Sequence, residues 1–317
     1  MILYSYISIT YNYLTNWHKN NLSVIIFSTS YKKNKIFKSI IPYLILINIS
    51  VWILLELFGN SKNSTDLIKF GALFGPFVSE GEYWRLFLSI FIHVGIIHLL
   101  FNQLAILIFV RLNENEFNNL KLLTIYIFSG LFANLLSYYM TPFNISAGSS
   151  GAIFGMAGSY LSSLLFKKPK NPIENKENLL GISIIILVNL FYGLIDSNID
   201  NWAHIGGLIS GFIIGLFLLK IFNSNSSLDR NKKSIKIIFF ITISMLILLS
   251  NIYIRSSDLK KNVLTHIFSA EIHAKNDNNE KALKELIIAK EIATKNKDLN
   301  TLNDIKNLIQ SLNQIEK

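Results

Sequence analysis

ISAGSSGAIFGMAGSY, residues 145–160, marks the point where an extended loop meets an apolar helix. Gly148, Ser149, Ser150 and Gly151 stand at the junction. A serine in the first turn of a helix sits among free backbone N–H groups that can hold an oxyanion, and the helix dipole favours negative charge there. Glycines on either side let a carbonyl come close to the backbone. Small residues at a helix start are also packing devices in membranes. The stretch therefore has two readings, and the rest of the chain decides between them.

The chain has 317 residues, of which 51% are hydrophobic, and a mean hydropathy of +0.40. Several apolar runs approach the ~20 residues needed to cross a bilayer. That composition implies an all-α polytopic membrane protein. The absence of cysteine excludes disulfides, thiol catalysis and thiolate metal sites. A net charge of +10 fits cytoplasmic loops rich in Lys and Arg better than nucleic-acid binding.

Residues 1–37 read as a cytoplasmic extension, with a short apolar run (22–27) followed by Lys32, Lys33, Lys35 and Lys38. That order argues against a cleaved signal peptide. Spans are expected at 40–58, 94–110, 122–140, 150–166, 179–195, 203–219 and 235–254. The connection 59–93 is long and semi-apolar, and is expected to lie in the interface with Trp84 and Arg85 as anchors. Basic loops at 167–176 and 230–236 join the N-terminal cluster on the cytoplasmic side. Seven spans then put the tail, 255–317, outside. Apolar residues recur at helical spacing over 280–293 and 302–312, which predicts a helical hairpin resembling one degenerate tetratricopeptide-like unit.

Strongly polar residues within spans are few and by default functional: His98, Asn102, Asn134, Asn189 and His204, with His93 just before the second span. Ser150 opens span four and His204 opens span six, and both spans run inward. His98 and Asn102, four apart on one face of span two, reach the same depth. Ser150 Oγ then reads as a nucleophile and His204 as its general base and acid. His98, the Asn102 amide and the Ser150 N–H would donate to an oxyanion. Asp196 and Asp200, in the turn before His204, are the only carboxylates placed to orient it. Burying one there is expensive, so a dyad is expected. His98 and Asn102 also have a plain reading as interhelical hydrogen bonds, as do Asn134 and Asn189. His93 reads as a packing histidine. A metal on His93, His98 and His204 is disfavoured by i, i+5 spacing and by the lack of a nearby acid; no metal or cofactor is expected. Gly151, Gly155, Gly207, Gly211 and Gly215 recur every four residues and imply close packing of spans four and six.

These residues, in this order, resemble the rhomboid family of intramembrane serine proteases. The matching positions are Trp84-Arg85, His93, HLLFN at 98–102, GSSG at 148–151 and AHIGG at 203–207. The resemblance covers roughly 40–222 and implies a six-helix core with a water-filled cavity opening outward and span five as a lateral gate. It implies Ser150 as nucleophile, His204 as partner, His98 and Asn102 at the oxyanion, and Phe154 packed under the histidine ring, where a Tyr is frequent. Gly148, Gly151, Trp84, Arg85 and His93 would be supporting residues. Implied substrates are single-pass transmembrane proteins, cleaved in or near their spans. A seventh span and a tetratricopeptide-like tail resemble bacterial 6+1 members, with residence in the cell (inner) membrane.

The expected layout is a cytoplasmic extension (1–37), a protease core (38–222), a loop and seventh span (223–254) and an extracytoplasmic tail (255–317) that binds clients or adaptors. An inert member that only binds membrane clients is the alternative; such relatives usually lack the Ser or the His, and both stand here. No inverted repeat or charged pore ring supports a transporter or channel.

Overall fold

The computed structural model describes residues 39–222 and 250–315. The N-terminal extension, residues 223–249 and hence most of the seventh expected span lie outside the described residues. The chain divides into two compact units, Met1–Pro42 and Tyr43–Lys317. In the first, residues 39–42 are described, and the Ile41 N–H meets Ser39 Oγ at 3.4 Å.

Every described element is helical. In order they are α1 (Ile41–Phe58), α2 (Ser64–Lys69), α3 (Gly75–Ser79), α4 (Arg85–Leu88) with a 3-10 turn at Ser89–Phe91, α5 (Gly95–Asn113), α6 (Asn119–Met140), α7 (Ser150–Phe166), α8 (Pro172–Ile195) and α9 (Asn201–Phe222). Residues 250–259 form α10, and α11 (Val263–Lys275), α12 (Asn279–Lys295) and α13 (Leu299–Ile315) follow. Helices α1, α5, α6, α8 and α9 are long and apolar enough to cross a membrane, and α7 is a shorter apolar helix of 17 residues. The protein is a polytopic, all-helical membrane protein.

Asparagine sets many of the helix starts. Asn63, Asn118, Asn171, Asn262 and Asn278 each accept backbone N–H groups at the first turn of α2, α6, α8, α11 and α12. Such caps satisfy donors that the helix itself cannot.

α7 is the centre of the bundle. It is apolar on every side and buried along most of its length, as a helix without a polar face must be. At 1.5 Å per residue it is about 25 Å long, short of the ~30 Å hydrocarbon layer. A helix that short begins below one surface when its far end, followed by Lys167 and Lys168, reaches the other. α9 lies directly against it. A Cβ on Gly207 would fall 1.9 Å from the Gly151 carbonyl oxygen, and one on Gly211 would fall 2.0 Å from that of Gly155. The four-residue glycine spacing thus sets backbone contact between α7 and α9.

Three sequence expectations change. Arg85 is no interfacial anchor: it is 3% exposed, paired with Glu82 at 2.5 Å, and donates to the carbonyls of Ile68 (2.5 Å) and Ala72 (3.1 Å). A guanidinium with five donors gains more by closing the 68–72 turn than by facing headgroups. Trp84 beside it is 48% exposed. Among the described residues Asn189 makes no interhelical bond; it is exposed and donates to the Ile185 carbonyl one turn back. The tail holds three helices after α10, not two. α11 gives no clear helical signal because Thr265, His266, Ser269, Glu271 and His273 interrupt its apolar spacing.

Candidate active site

Two helix starts build the site. α7 begins at Ser150 and α9 at Asn201, and the glycine seam holds these starts side by side. The Ser150 Oγ lies 2.9 Å from His204 Nε2. With Nε2 accepting that hydroxyl, Nδ1 carries the ring hydrogen. Nδ1 is buried and has no hydrogen-bond partner among the described residues. Neither nearby carboxylate reaches it. Asp200 accepts the Ala203 N–H at 2.9 Å and the Ser137 hydroxyl, while Asp196 accepts from the Asn198 backbone (3.0 Å) and side chain (2.8 Å). Phe154, one turn along α7 from Ser150, stacks on the His204 ring, 4.2 Å between centroids and 9° between planes. That contact restricts the imidazole in the absence of an acid.

Gly148 forms the wall beside Ser150. Its φ of +130° belongs to the region that glycine alone adopts freely. A side chain there would also strike His98, whose Cε1 lies 2.7 Å from where a Cβ would stand, with Asn102 Nδ2 at 3.6 Å. His98 and Asn102 thus converge on the backbone just before Ser150. Asn102 is 6% exposed, and its Nδ2 is a buried donor without a partner among the described residues. Such a group is costly unless something arrives to accept from it. A carbonyl oxygen pulled toward Ser150 is the acceptor that this position suits.

A second layer holds the loop. The Gly148 N–H donates to the Ser89 carbonyl at 3.0 Å. Asn134 Nδ2 donates to Ser89 Oγ (2.9 Å) and to the Leu86 carbonyl (2.8 Å), so its bonds run from α6 to the 59–93 connection. His93 is fully buried; its Nδ1–H donates to the Phe91 carbonyl (3.0 Å), leaving Nε2 to accept the Ser149 hydroxyl (3.2 Å). His93 and His98 rings lie 5.5 Å apart. Ser89 gave no signal in the sequence, being one serine among many in loops.

Known proteins resemble this chain over the segment that carries these residues. The family model described as Rhomboid domain matches residues 80–221. YdcA of Bacillus subtilis (strain 168) is 34% identical over 144 residues, 45% of this chain and 71% of its own length. The chain belongs to the rhomboid family. Rhomboid protease GluP, also of Bacillus subtilis (strain 168), is 39% identical over 173 residues, 53% of this chain. RHOMBOID-like protein 6, mitochondrial, of Arabidopsis thaliana is 40% identical over 161 residues, 50% of this chain. The chain spans 32% of the length of GluP and 51% of that of the Arabidopsis relative. The rhomboid match begins at residue 80 and so takes in Trp84, Arg85, His93, His98, Asn102, Ser150, Phe154 and His204.

Proposed function

We propose that this rhomboid is an active intramembrane serine endopeptidase that hydrolyses peptide bonds in or near the spans of single-pass membrane proteins. The observation that carries this reading is the 2.9 Å approach of Ser150 Oγ to His204 Nε2 beside the unpartnered Asn102 donor. In the proposed reaction His204 takes the Ser150 proton as Oγ attacks the scissile carbonyl. The Asn102 amide, His98 and the Ser150 N–H receive the oxyanion. His204 then protonates the leaving amine, and water repeats the sequence on the acyl-enzyme. A helical substrate must unwind first, because its carbonyls are committed to i→i−4 bonds; a polar hollow supplies the partners that freed backbone groups need at membrane depth.

The layout we infer is a cytoplasmic extension (1–37), protease core (38–222), loop and seventh span (223–254) and extracytoplasmic tail (255–317) in a bacterial cell (inner) membrane, with orientation following the basic loops. The outer tail helices leave Ile287 and Leu308 exposed, a surface for client or adaptor proteins. Ile287→Glu with Leu308→Glu is then expected to slow cleavage of natural clients and spare a generic substrate; equal slowing of both would refute recruitment.

The test of activity uses the purified chain in lipid with a single-pass substrate. Cleavage is expected, and Ser150→Ala and His204→Ala should each abolish it. Cleavage that survives either change would refute the assignment.

A further inference from the structure

The first tail helix packs on the connection that supports the site. On α11, Phe268, Ser269, Ile272 and His273 share one face, at the i, i+1, i+4 and i+5 positions. Phe268 meets Phe143 with ring centroids 5.3 Å apart. The Ser269 hydroxyl donates to Glu80, and His273 Nε2 lies 3.9 Å from the same carboxylate. The His273 ring stacks on Phe77 at 5.0 Å, and Ile272 is buried with Ile68, Phe74 and Phe77. Just upstream, Tyr138 and Ser256 share a hydrogen bond of 2.9 Å, and Ile252 and Leu259 pack with Leu73, Val78 and Leu86.

What α11 grips is in turn bonded to the loop that delivers the serine. Leu73 and Ser146 exchange two backbone hydrogen bonds, 2.9 and 3.0 Å, and the Gly75 N–H donates to the Pro142 carbonyl at 2.8 Å. Gly75 lies so close that a Cβ there would fall 2.4 Å from that oxygen. Ser146 is two residues before Gly148 and four before Ser150. The 141–148 loop has no helix of its own. Residues 73–75 help to place it, together with the Gly148–Ser89 bond, and they in turn meet α10 through Leu73 and α11 through Phe74.

We propose that α11 is part of the active-site scaffold, with Glu80, Phe268 and Ser269 acting as positioning residues that hold the Gly148–Ser150 backbone for hydrolysis. This rests on the protease reading above. It goes beyond recruitment, because it makes the tail matter for every substrate. A fixed backbone is what an oxyanion site needs, and a 1 Å misplacement can cost about a hundredfold in rate.

The chain has no cysteine, so an introduced pair would carry its only thiols. Phe143→Cys with Phe268→Cys, in the full chain in lipid, removes the ring contact and can be rejoined by a short reversible thiol cross-linker. The unlinked pair is expected to lose about tenfold in kcat on a generic single-pass substrate, with KM within about twofold. Cross-linking should proceed in high yield and restore most of kcat, and reduction should remove the gain. A conservative Phe268→Tyr change should keep kcat near that of the parent. No cross-link would mean that α11 does not dock. A high yield with kcat equal before and after linking would mean that it docks without positioning. Either result overturns the proposal. Cleavage persisting in Ser150→Ala would sink the nucleophile assignment instead, and leave the cross-link yield as it was.

Discussion

α7 and α8 follow each other in the chain and are packed in opposite ways. α7 is buried along most of its length and touches α9 backbone to backbone. α8 buries only Ile182 and Ile186, and a Cβ on Gly181 would meet nothing within 4 Å among the described residues outside its own helix backbone. It is held near its ends instead: Asn175 Nδ2 donates to the Leu164 carbonyl (3.1 Å), and Asn201 Nδ2 to that of Leu190 (3.0 Å). Side chains at candidate reacting positions lie on α5, α7 and α9, and none lies on α8. The bundle thus joins a closely packed helix pair to a helix with few buried side chains, tied to that pair by hydrogen bonds near its ends. The proposed hydrolysis inside a membrane would use both, since a fixed site closed on every side would admit no substrate.

The sharpest break is at the seam. Gly207→Val puts carbon into the Gly151 carbonyl and should destabilise the fold by about 3 kcal/mol and abolish cleavage. Gly181→Ala on α8 should change stability by less than about 1 kcal/mol and keep activity. Thermal unfolding in lipid with parallel cleavage assays reads both; equal sensitivity at the two positions would erase the distinction. Asn102→Ala tests the unpartnered donor, and should lower kcat about a hundredfold with little change in KM. Phe154→Ala frees the His204 ring and should lower kcat about tenfold, in line with the ~1 kcal/mol of a stacked pair.

Much of this was legible in advance, and the parts that were not share a cause. The sequence marks the bounds of α7, because its apolar run ends at Lys167 and starts at a glycine-flanked serine. Ser150, His204, His98 and Asn102 could be brought together from span direction and i, i+4 spacing alone. Arg85, Asn189 and α11 are not legible in the sequence because their roles depend on what faces them. An arginine can anchor in headgroups or close a buried turn with the same sequence around it. Asn48, Gln103 and Asn113 also sit inside spans; Asn48 Nδ2 donates to Gln103 Oε1 at 3.3 Å, while Ser159 donates to Asn113 at 2.9 Å. They hold helices together, as polar residues in a bilayer do when no cavity opens beside them.

The smallest expected effect separates the tail from the bundle. Burial pulls the His266 pKa down, but hydrogen bonds to Glu285 and to the Lys260 carbonyl, together with the charges of Glu285 and Glu80, outweigh it, and the net shift is upward from 6.5. A raised folded value means that the added stability is full below pH about 6.5 and fades as pH rises through the folded pKa. The pair should contribute about 1 kcal/mol or less. Exchange protection of α11 and α12 amides, corrected for the intrinsic rise of exchange with pH, should therefore fall modestly above neutral pH in the parent and lose that dependence in Glu285→Gln. An unchanged profile in the variant would rule out this pair as the source.

The most direct measurement is labelling of the chain in lipid by a fluorophosphonate probe, with the modified residue located by peptide mass spectrometry. The probe should land on Ser150 alone, and labelling should vanish in His204→Ala while Asp196→Asn leaves it in place. A modified serine elsewhere, or Ser150 labelled equally well without His204, would contradict the pairing of these two side chains.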